Sequence, residues 1–321
     1  THTYPAGTTD IDICVVTYDI QFASGTSGPP KADKLIAGGS GHNGDNSVQT
    51  NYGDVPHKCL HIDMPTTLVL NKEVVNDNGG TATAASFTLA ANGAESNDLT
   101  GTSPVDSGPG LKADTWTLSE TSVAGYSASA WVCVGGSQSG SSITLALGQE
   151  ATCTITNDDQ PAHLTLVKVV SNTHGGTAKA TDWTLTAGPG GVSGAGGASG
   201  YVSAGTYTLS ESAGPSGYSS GGWSCIGGSF EAPNHVTAAN GSSVSCQITN
   251  SDLPAHLVVI KQVVNDNGGT AVSGDFTLDS GGANDTPDNF AGVASPGTTV
   301  TLDAGSYAVS ESGPAGYTAS Y

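Results

Sequence analysis

The sequence contains no arginine, and its 8 lysines face 28 aspartates and glutamates, for a formal net charge of −20. Affinity for a phosphate backbone comes largely from cationic side chains displacing condensed counterions. This balance therefore excludes nucleic acid as a partner. Long apolar runs are missing too: no stretch of about 18 apolar residues is present, so no membrane-spanning segment is expected. Thr1 to Thr9 lack the charged and apolar regions of a secretion signal, so the chain reads as a mature protein or a fragment. Charged residues total only 11%, so the polar coat comes from Thr, Ser, Asn and Gly. Such a surface suits an exposed extracellular protein. Glycine, at 46 residues, disfavours long helices and predicts an all-β chain of short strands and turns.

The six cysteines fall into pairs adjacent in sequence, Cys14 with Cys59, Cys133 with Cys153, and Cys225 with Cys246. In an acidic, Gly/Thr-rich chain this predicts disulfides and an oxidising compartment. The second and third pairs are expected to join the last two strands of a domain. Closing a loop of about 20 residues stabilises by about 3 kcal/mol on the chain-entropy account.

Internal repetition organises the chain. LVLNKEVVNDNGGTATAASFTL from Leu68, LTLVKVVSNTHGGTAKATDWTL from Leu164 and LVVIKQVVNDNGGTAVSGDFTL from Leu257 share one register. A second landmark is WTLSETSVAGY from Trp116, YTLSESAGPSGY from Tyr207 and YAVSESGPAGY from Tyr307; a third is CTITNDDQPAHL from Cys153 and CQITNSDLPAHL from Cys246. Lysines recur at 72, 168 and 261, spaced by 96 and 93 residues. A unit this long suits an independently folding β-sandwich rather than a solenoid repeat. The expected boundaries are a nonrepeat β-rich segment at 1–63, complete repeats at 64–159 and 160–252, and a third at 253–321 without its final strands. Residues 1–63 are read as the end of an upstream domain or an assembly segment, with a strand over CVVTYDIQF, a loop at GGSGHNGDN and a staple from Cys14 to Cys59. The short Pro-Ala-His junctions favour a semi-rigid rod of domains.

Alternate residues of a strand share a face. That period places Lys72 with Leu68, Leu70 and Val74, Lys168 with Leu164, Leu166 and Val170, and Lys261 with Leu257, Val259 and Val263. Glu120 falls in phase with Trp116 and Leu118, Glu211 with Tyr207 and Leu209, and Glu311 with Tyr307 and Val309. Asn157 shares a face with Cys153 and Ile155, and Asn250 with Cys246 and Ile248. Each complete unit thus turns one Lys, one Glu and one Asn inward, where an unpaired charge costs several kcal/mol. Two readings meet that constraint. One is a buried ion pair with the Asn hydrogen-bonded beside it. The other is covalent: burial lowers the Lys pKa and raises that of Glu, so a neutral amine attacks the Asn carbonyl while the protonated Glu polarises it. Proximity in the core would supply the rate that an amide otherwise lacks.

The early-strand Lys, the Tyr-x-Leu-x-Glu…Gly-Tyr segment and the terminal Thr-Asn together resemble the B-type repeats of collagen adhesins and related pilin domains. That resemblance spans about residues 64–321 and implies a prealbumin-like (transthyretin-like) fold. It further implies isopeptide bonds from Lys72 to Asn157 assisted by Glu120, and from Lys168 to Asn250 assisted by Glu211. Lys261 and Glu311 would need an Asn beyond Tyr321. The cysteine pairs depart from the pattern, and neither an LPxTG sorting signal nor a pilin-linking lysine motif is evident.

Other signals have simpler readings. The Asn-Asp-Asn-Gly-Gly runs at 76–80 and 265–269 suggest calcium, but the second repeat has Asn172-Thr173-His174 there, without a carboxylate, and a hairpin turn is favoured. His57-x-Cys59-x-His61 presents three possible zinc ligands without an evident fourth, so the disulfide is favoured and no metal or cofactor is assigned. His163 and His256 are read as exposed junction residues rather than pH-sensitive contacts. No second carboxylate accompanies the repeated Glu as a glycosidase would need, and no nucleophile-base set stands out, so an extracellular hydrolase is disfavoured. The expected function is structural: a cell-surface stalk, pilus-like fibre or filament with further copies or neighbouring repeats as partners. The alternative is an adhesin module binding a host, matrix or glycan ligand through loops that vary between units, such as 92–112 and 279–291.

Overall fold

The computed structural model describes residues 66–321 apart from 95–96 and 283. Before them it describes the backbone of five short strands, Asp10–Val15, Gly41–His42, Val48–Thr50, Gly53–Val55 and Lys58–Asp63. Asp10–Val15 pairs antiparallel with Lys58–Asp63 in a register that sets Cys14 opposite Cys59. The side chains of that segment lie outside the described residues, and with them the Cys14–Cys59 bond and the His57-x-Cys59-x-His61 pattern. The predicted strand at CVVTYDIQF is described only at Cys14 and Val15, and most of the GGSGHNGDN loop is outside as well. The chain divides into two compact units, residues 1–160 and 161–321.

In the first unit two sheets face each other. One runs Ser137–Ser139, Ser142–Leu145, Asp114–Glu120, Leu89–Asn92, Leu99–Gly101; the other runs Tyr126–Ala128, Glu150–Asp159, Thr67–Val75, Val105–Asp106, with Val132–Val134 also on Glu150–Asp159. Strict alternation makes the sandwich: Leu68, Leu70 and Lys72 point inward from one strand, Trp116 and Leu118 from another, Cys153, Ile155 and Asn157 from the last. Each fully buried leucine contributes about 2 kcal/mol through apolar area removed from water. The first and last strands of the repeat lie side by side and parallel, which requires a crossover between them. Here the rest of the domain is that crossover. Lys72 stands opposite Ile155, and Asn157 opposite Val74.

The second unit repeats this plan. Gly197–Val202, Ala162–Ser171, Ser243–Asp252 and Tyr218–Ile226 form one sheet; Ser193–Ala195, Thr184–Gly188, Gly205–Glu211, His235–Ala238 and Ser229–Glu231 form the other. Ala162–Ser171 and Ser243–Asp252 are the parallel pair, with Lys168 opposite Ile248 and Asn250 opposite Val170. The third repeat is sparser: Ala255–Val259 pairs with Thr298–Leu302, and Thr277–Asp279 lies between Phe290–Ala291 and Ser310–Ser312. It meets the second repeat where the Ala304 N–H donates to the His174 carbonyl at 2.8 Å. Beside that bond, His174 Nδ1 lies 2.9 Å from Asp303 Oδ1.

Three local expectations need correction. The Asn-Gly-Gly loops are not hairpin turns, because the strands they leave and enter, Thr67–Val75 and Leu89–Asn92, belong to opposite sheets. The disulfides Cys133–Cys153 and Cys225–Cys246 do not join the last two strands. Between their cysteines the chain crosses to the other sheet and back, because Ile143, Leu145 and Val236 must reach the core. His163 and His256 are strand rather than junction residues: His163 packs edge-on against Tyr201, and His256 Nδ1 lies 3.2 Å from Thr301 Oγ1.

Candidate functional site

The fold brings together residues far apart in sequence. In the second repeat, Lys168 reaches inward from the first strand, Asn250 from its parallel neighbour, and Glu211 from the facing sheet. Lys168 is 5% exposed and Asn250 2%. Lys168 Nζ lies 2.9 Å from Glu211 Oε2, and Asn250 Nδ2 donates to Glu211 Oε1 at 2.9 Å. One carboxyl group therefore bridges amine and amide. In the first repeat Lys72 Nζ is 2.8 Å from Glu120 Oε2 and 3.5 Å from the Ile155 carbonyl, with Asn157 buried beside it. The amide oxygens of Asn157 and Asn250 are buried and accept no hydrogen bond from the described residues. A buried carbonyl without a donor is costly, and it marks where a proton donor would be welcome. In the third repeat Lys261 Nζ is 2.7 Å from Glu311 Oε2, with no asparagine alongside among the described residues.

The expectation that burial raises the Glu pKa does not hold for Glu211. Burial pushes that carboxyl up, but hydrogen bonds from Lys168, Asn250 and Ser220 and the charge of Lys168 outweigh it and hold it below the usual carboxylate range. The Glu211 carboxyl thus faces the Lys168 amine across a salt bridge.

An aromatic lid completes each site and was missed by the sequence reading. Phe87, Trp183 and Phe276 cover the lysine ammonium groups at 4.5, 4.8 and 4.0 Å from Nζ to ring centroid. The ring face attracts the cation while excluding water. Its signal was in the repeat strings, which end in Ser-Phe-Thr-Leu, Asp-Trp-Thr-Leu and Asp-Phe-Thr-Leu. Edge-on against these rings pack Tyr126, Tyr218 and Tyr317 of the Gly-Tyr landmark. Their hydroxyls donate to Asn76, Asn172 and Asn265 at 2.6, 2.5 and 2.6 Å, tying the loop after the first strand to the lid.

In the first and second repeats the loops after the first strand turn backbone N–H groups toward the end of the last strand. Their backbone N–H groups converge on a carboxylate from the end of the last strand, Asp159 or Asp252. The carboxylates of Asp77, Asp158 and Asp159 lie within 4.8 Å of one another, but both oxygens of Asp159 are already held by these donors.

The profile of the prealbumin-like fold domain matches residues 63–155, 159–248 and 252–321. No curated protein is similar to the chain at a significant level. Among solved structures, the chain is similar to the TIE protein of Bacillus anthracis, at 16% identity and TM-score 0.43, over 82% of this chain and 48% of that one. The chain thus spans about half the length of that relative. A C-terminal fragment of the pilus adhesin SpaC from Lactobacillus rhamnosus GG is similar at 14% identity and TM-score 0.32, over 61% of this chain and 99% of the fragment. The major pilin protein T-13 of Streptococcus pyogenes is similar at 14% identity and TM-score 0.31, over 58% and 97%. From residue 63 onward the chain belongs to the family of prealbumin-like fold domains and carries three of them in tandem.

Proposed function

We propose that this chain is part of an extracellular, non-enzymatic structural protein, a surface stalk or pilus-like filament whose domains lock themselves with Lys–Asn isopeptide bonds. The observation that carries this reading is the Lys168 amine and the Asn250 amide, buried on the two parallel terminal strands of the second repeat and bridged by the Glu211 carboxyl from the facing sheet.

The chemistry follows from that arrangement. A proton passes from Lys168 Nζ to Glu211, leaving a neutral amine and a neutral acid. Turning the Asn250 amide over exchanges Nδ2 for Oδ1 at the carboxyl, so the unpartnered oxygen gains a donor. The Nζ lone pair attacks Cγ, the Cγ–Nδ2 bond breaks, and the departing nitrogen leaves as ammonia with the proton that Nζ gives up. The carboxyl group acts only as a shuttle, once per domain. Lys72, Glu120 and Asn157 have the same roles in the first repeat.

The placement suits tension. Load enters a repeat through its first strand and leaves through its last. In a parallel pair that load shears the whole ladder, and a covalent bond across it carries the force without peeling either sheet. The disulfides support an oxidising, extracellular setting. Partners in this reading are further copies or neighbouring repeats.

Intact mass of the purified chain, with peptide mapping, tests the proposal. Loss of two ammonia equivalents, at Lys72–Asn157 and Lys168–Asn250, is expected. An unmodified mass from folded protein would leave buried ion pairs and no self-cross-linking.

A further inference from the structure

We infer that Asp159 and Asp252 are positioning residues for the cross-link, clips that hold the last strand in the one register that brings Asn157 and Asn250 to their lysines. This inference rests on the isopeptide reading above and adds residues outside the Lys–Glu–Asn set.

Each Asp stands two residues beyond its Asn on the same inward face, and both are buried. The strand ladder ends with Val75 opposite Asp158 and Ser171 opposite Ser251, so the Asp is the first residue past the pairing. There it meets the loop leaving the first strand. Asp252 accepts the N–H of Thr173 at 2.8 Å, of His174 at 2.7 Å and of Gly176 at 2.8 Å. Asp159 accepts those of Asp77 at 3.0 Å, Asn78 at 2.9 Å and Gly80 at 2.5 Å. The loop is shaped for this approach. A Cβ at Gly176 would lie 2.2 Å from the Tyr218 hydroxyl and 2.9 Å from Asp252 Oδ2, and one at Gly80 would lie 2.7 Å from Asp159 Oδ2.

Register is what these bonds control. A parallel ladder between two apolar strands is degenerate, because a slip of two residues preserves which side chains face the core. Such a slip carries the Asn along its strand by about 6.6 Å, out of bonding reach of Nζ. A carboxylate that satisfies three loop N–H groups at one position only excludes the slipped registers. The clip also joins the lysine strand's exit to the asparagine strand's end, the two segments the cross-link must bring together.

The test is Asp252→Asn in the whole chain, followed by time-resolved peptide mapping after refolding. The Lys168–Asn250 cross-link is expected to form about tenfold or more slowly, while Lys72–Asn157 forms at its normal rate in the same molecules and Cys225–Cys246 still closes. Asp252→Glu, which keeps the charge, is expected to recover part of the rate. Wild-type speed in Asp252→Asn overturns the positioning role alone. Loss of the Cys225–Cys246 bond along with the cross-link in both variants makes Asp252 a general fold determinant and also overturns it. A wild-type chain with no cross-link anywhere fells the underlying isopeptide reading instead.

Discussion

The second and third repeats open in the same register, with a lysine at the same place, yet they hold their lysines differently. Lys168 lies within the ten-residue strand Ala162–Ser171, paired on both edges, and its side chain is 0% exposed. The equivalent strand in the third repeat, Ala255–Val259, pairs on one edge and ends two residues before Lys261, whose side chain is 13% exposed. Val258 and Ile260 are exposed in the same stretch. The Glu partner and the aromatic lid are present in both. The comparison teaches that the lysine's own sequence does not make its strand. Pairing on both edges does, as for Ala162–Ser171 between Gly197–Val202 and Ser243–Asp252, by satisfying the second row of backbone groups.

The largest effect is expected from Glu211→Ala. It removes the shuttle, so mapping should show the Lys168–Asn250 bond gone and Lys72–Asn157 intact. It also strands the buried Lys168 charge, a loss of about 3–5 kcal/mol readable in the denaturant midpoint of the second repeat. Glu311→Ala should cost the third repeat less, because Lys261 can reach water.

Removing the second repeat's disulfide with Cys225→Ser and Cys246→Ser should lower its stability by about 3 kcal/mol. Residues 253–321, which hold none of these cysteines, should keep their own transition. Equal losses in both repeats would show that they unfold as one unit.

Hydrogen exchange sharpens the comparison at the backbone. The amides of Val258 and Ile260 should exchange about a hundredfold faster than those of Thr165 and Val167, following the cost of local opening. Matching protection would mean that the ladder with the last strand contributes nothing to holding the lysine strand.

The smallest effect is expected at the contact between these two repeats. Hydrogen bonds from Asn284 and His174 hold the Asp303 carboxyl below its usual range. A depressed folded value means the contribution is fully present above the unfolded carboxylate value and is lost as pH falls through the folded one. Acidification below the ordinary carboxylate range should therefore loosen the joint first, seen as faster exchange at Ala304. Asp303→Asn should flatten that dependence.

Much of this was legible in the residues themselves. Period-two alternation put Lys72, Glu120 and Asn157 on inward faces, because a strand's side chains alternate whatever the strand pairs with. Repetition made the aromatic at 87, 183 and 276 visible, but its role over the ammonium group depends on the distance between two strands in opposite sheets. The hairpin expectation failed for a related reason: Asn-Gly favours a tight reversal locally, while the buried Asp159 and Asp252 recruit the loop's N–H groups and the next strand is needed in the other sheet.

By itself, the sequence determined an all-β chain of tandem units, the alternation that turns three polar residues inward in each complete unit, and the cysteine pairs at 133–153 and 225–246. These depend on local periodicity and composition, which each segment carries with it. Only the tertiary structure decided that the terminal strands run parallel and adjacent, that Glu211 meets Lys168 across the two sheets, and that the cysteines staple strands separated by an excursion to the opposite sheet. Those are matters of register and distance between segments about eighty residues apart, and no local preference encodes them.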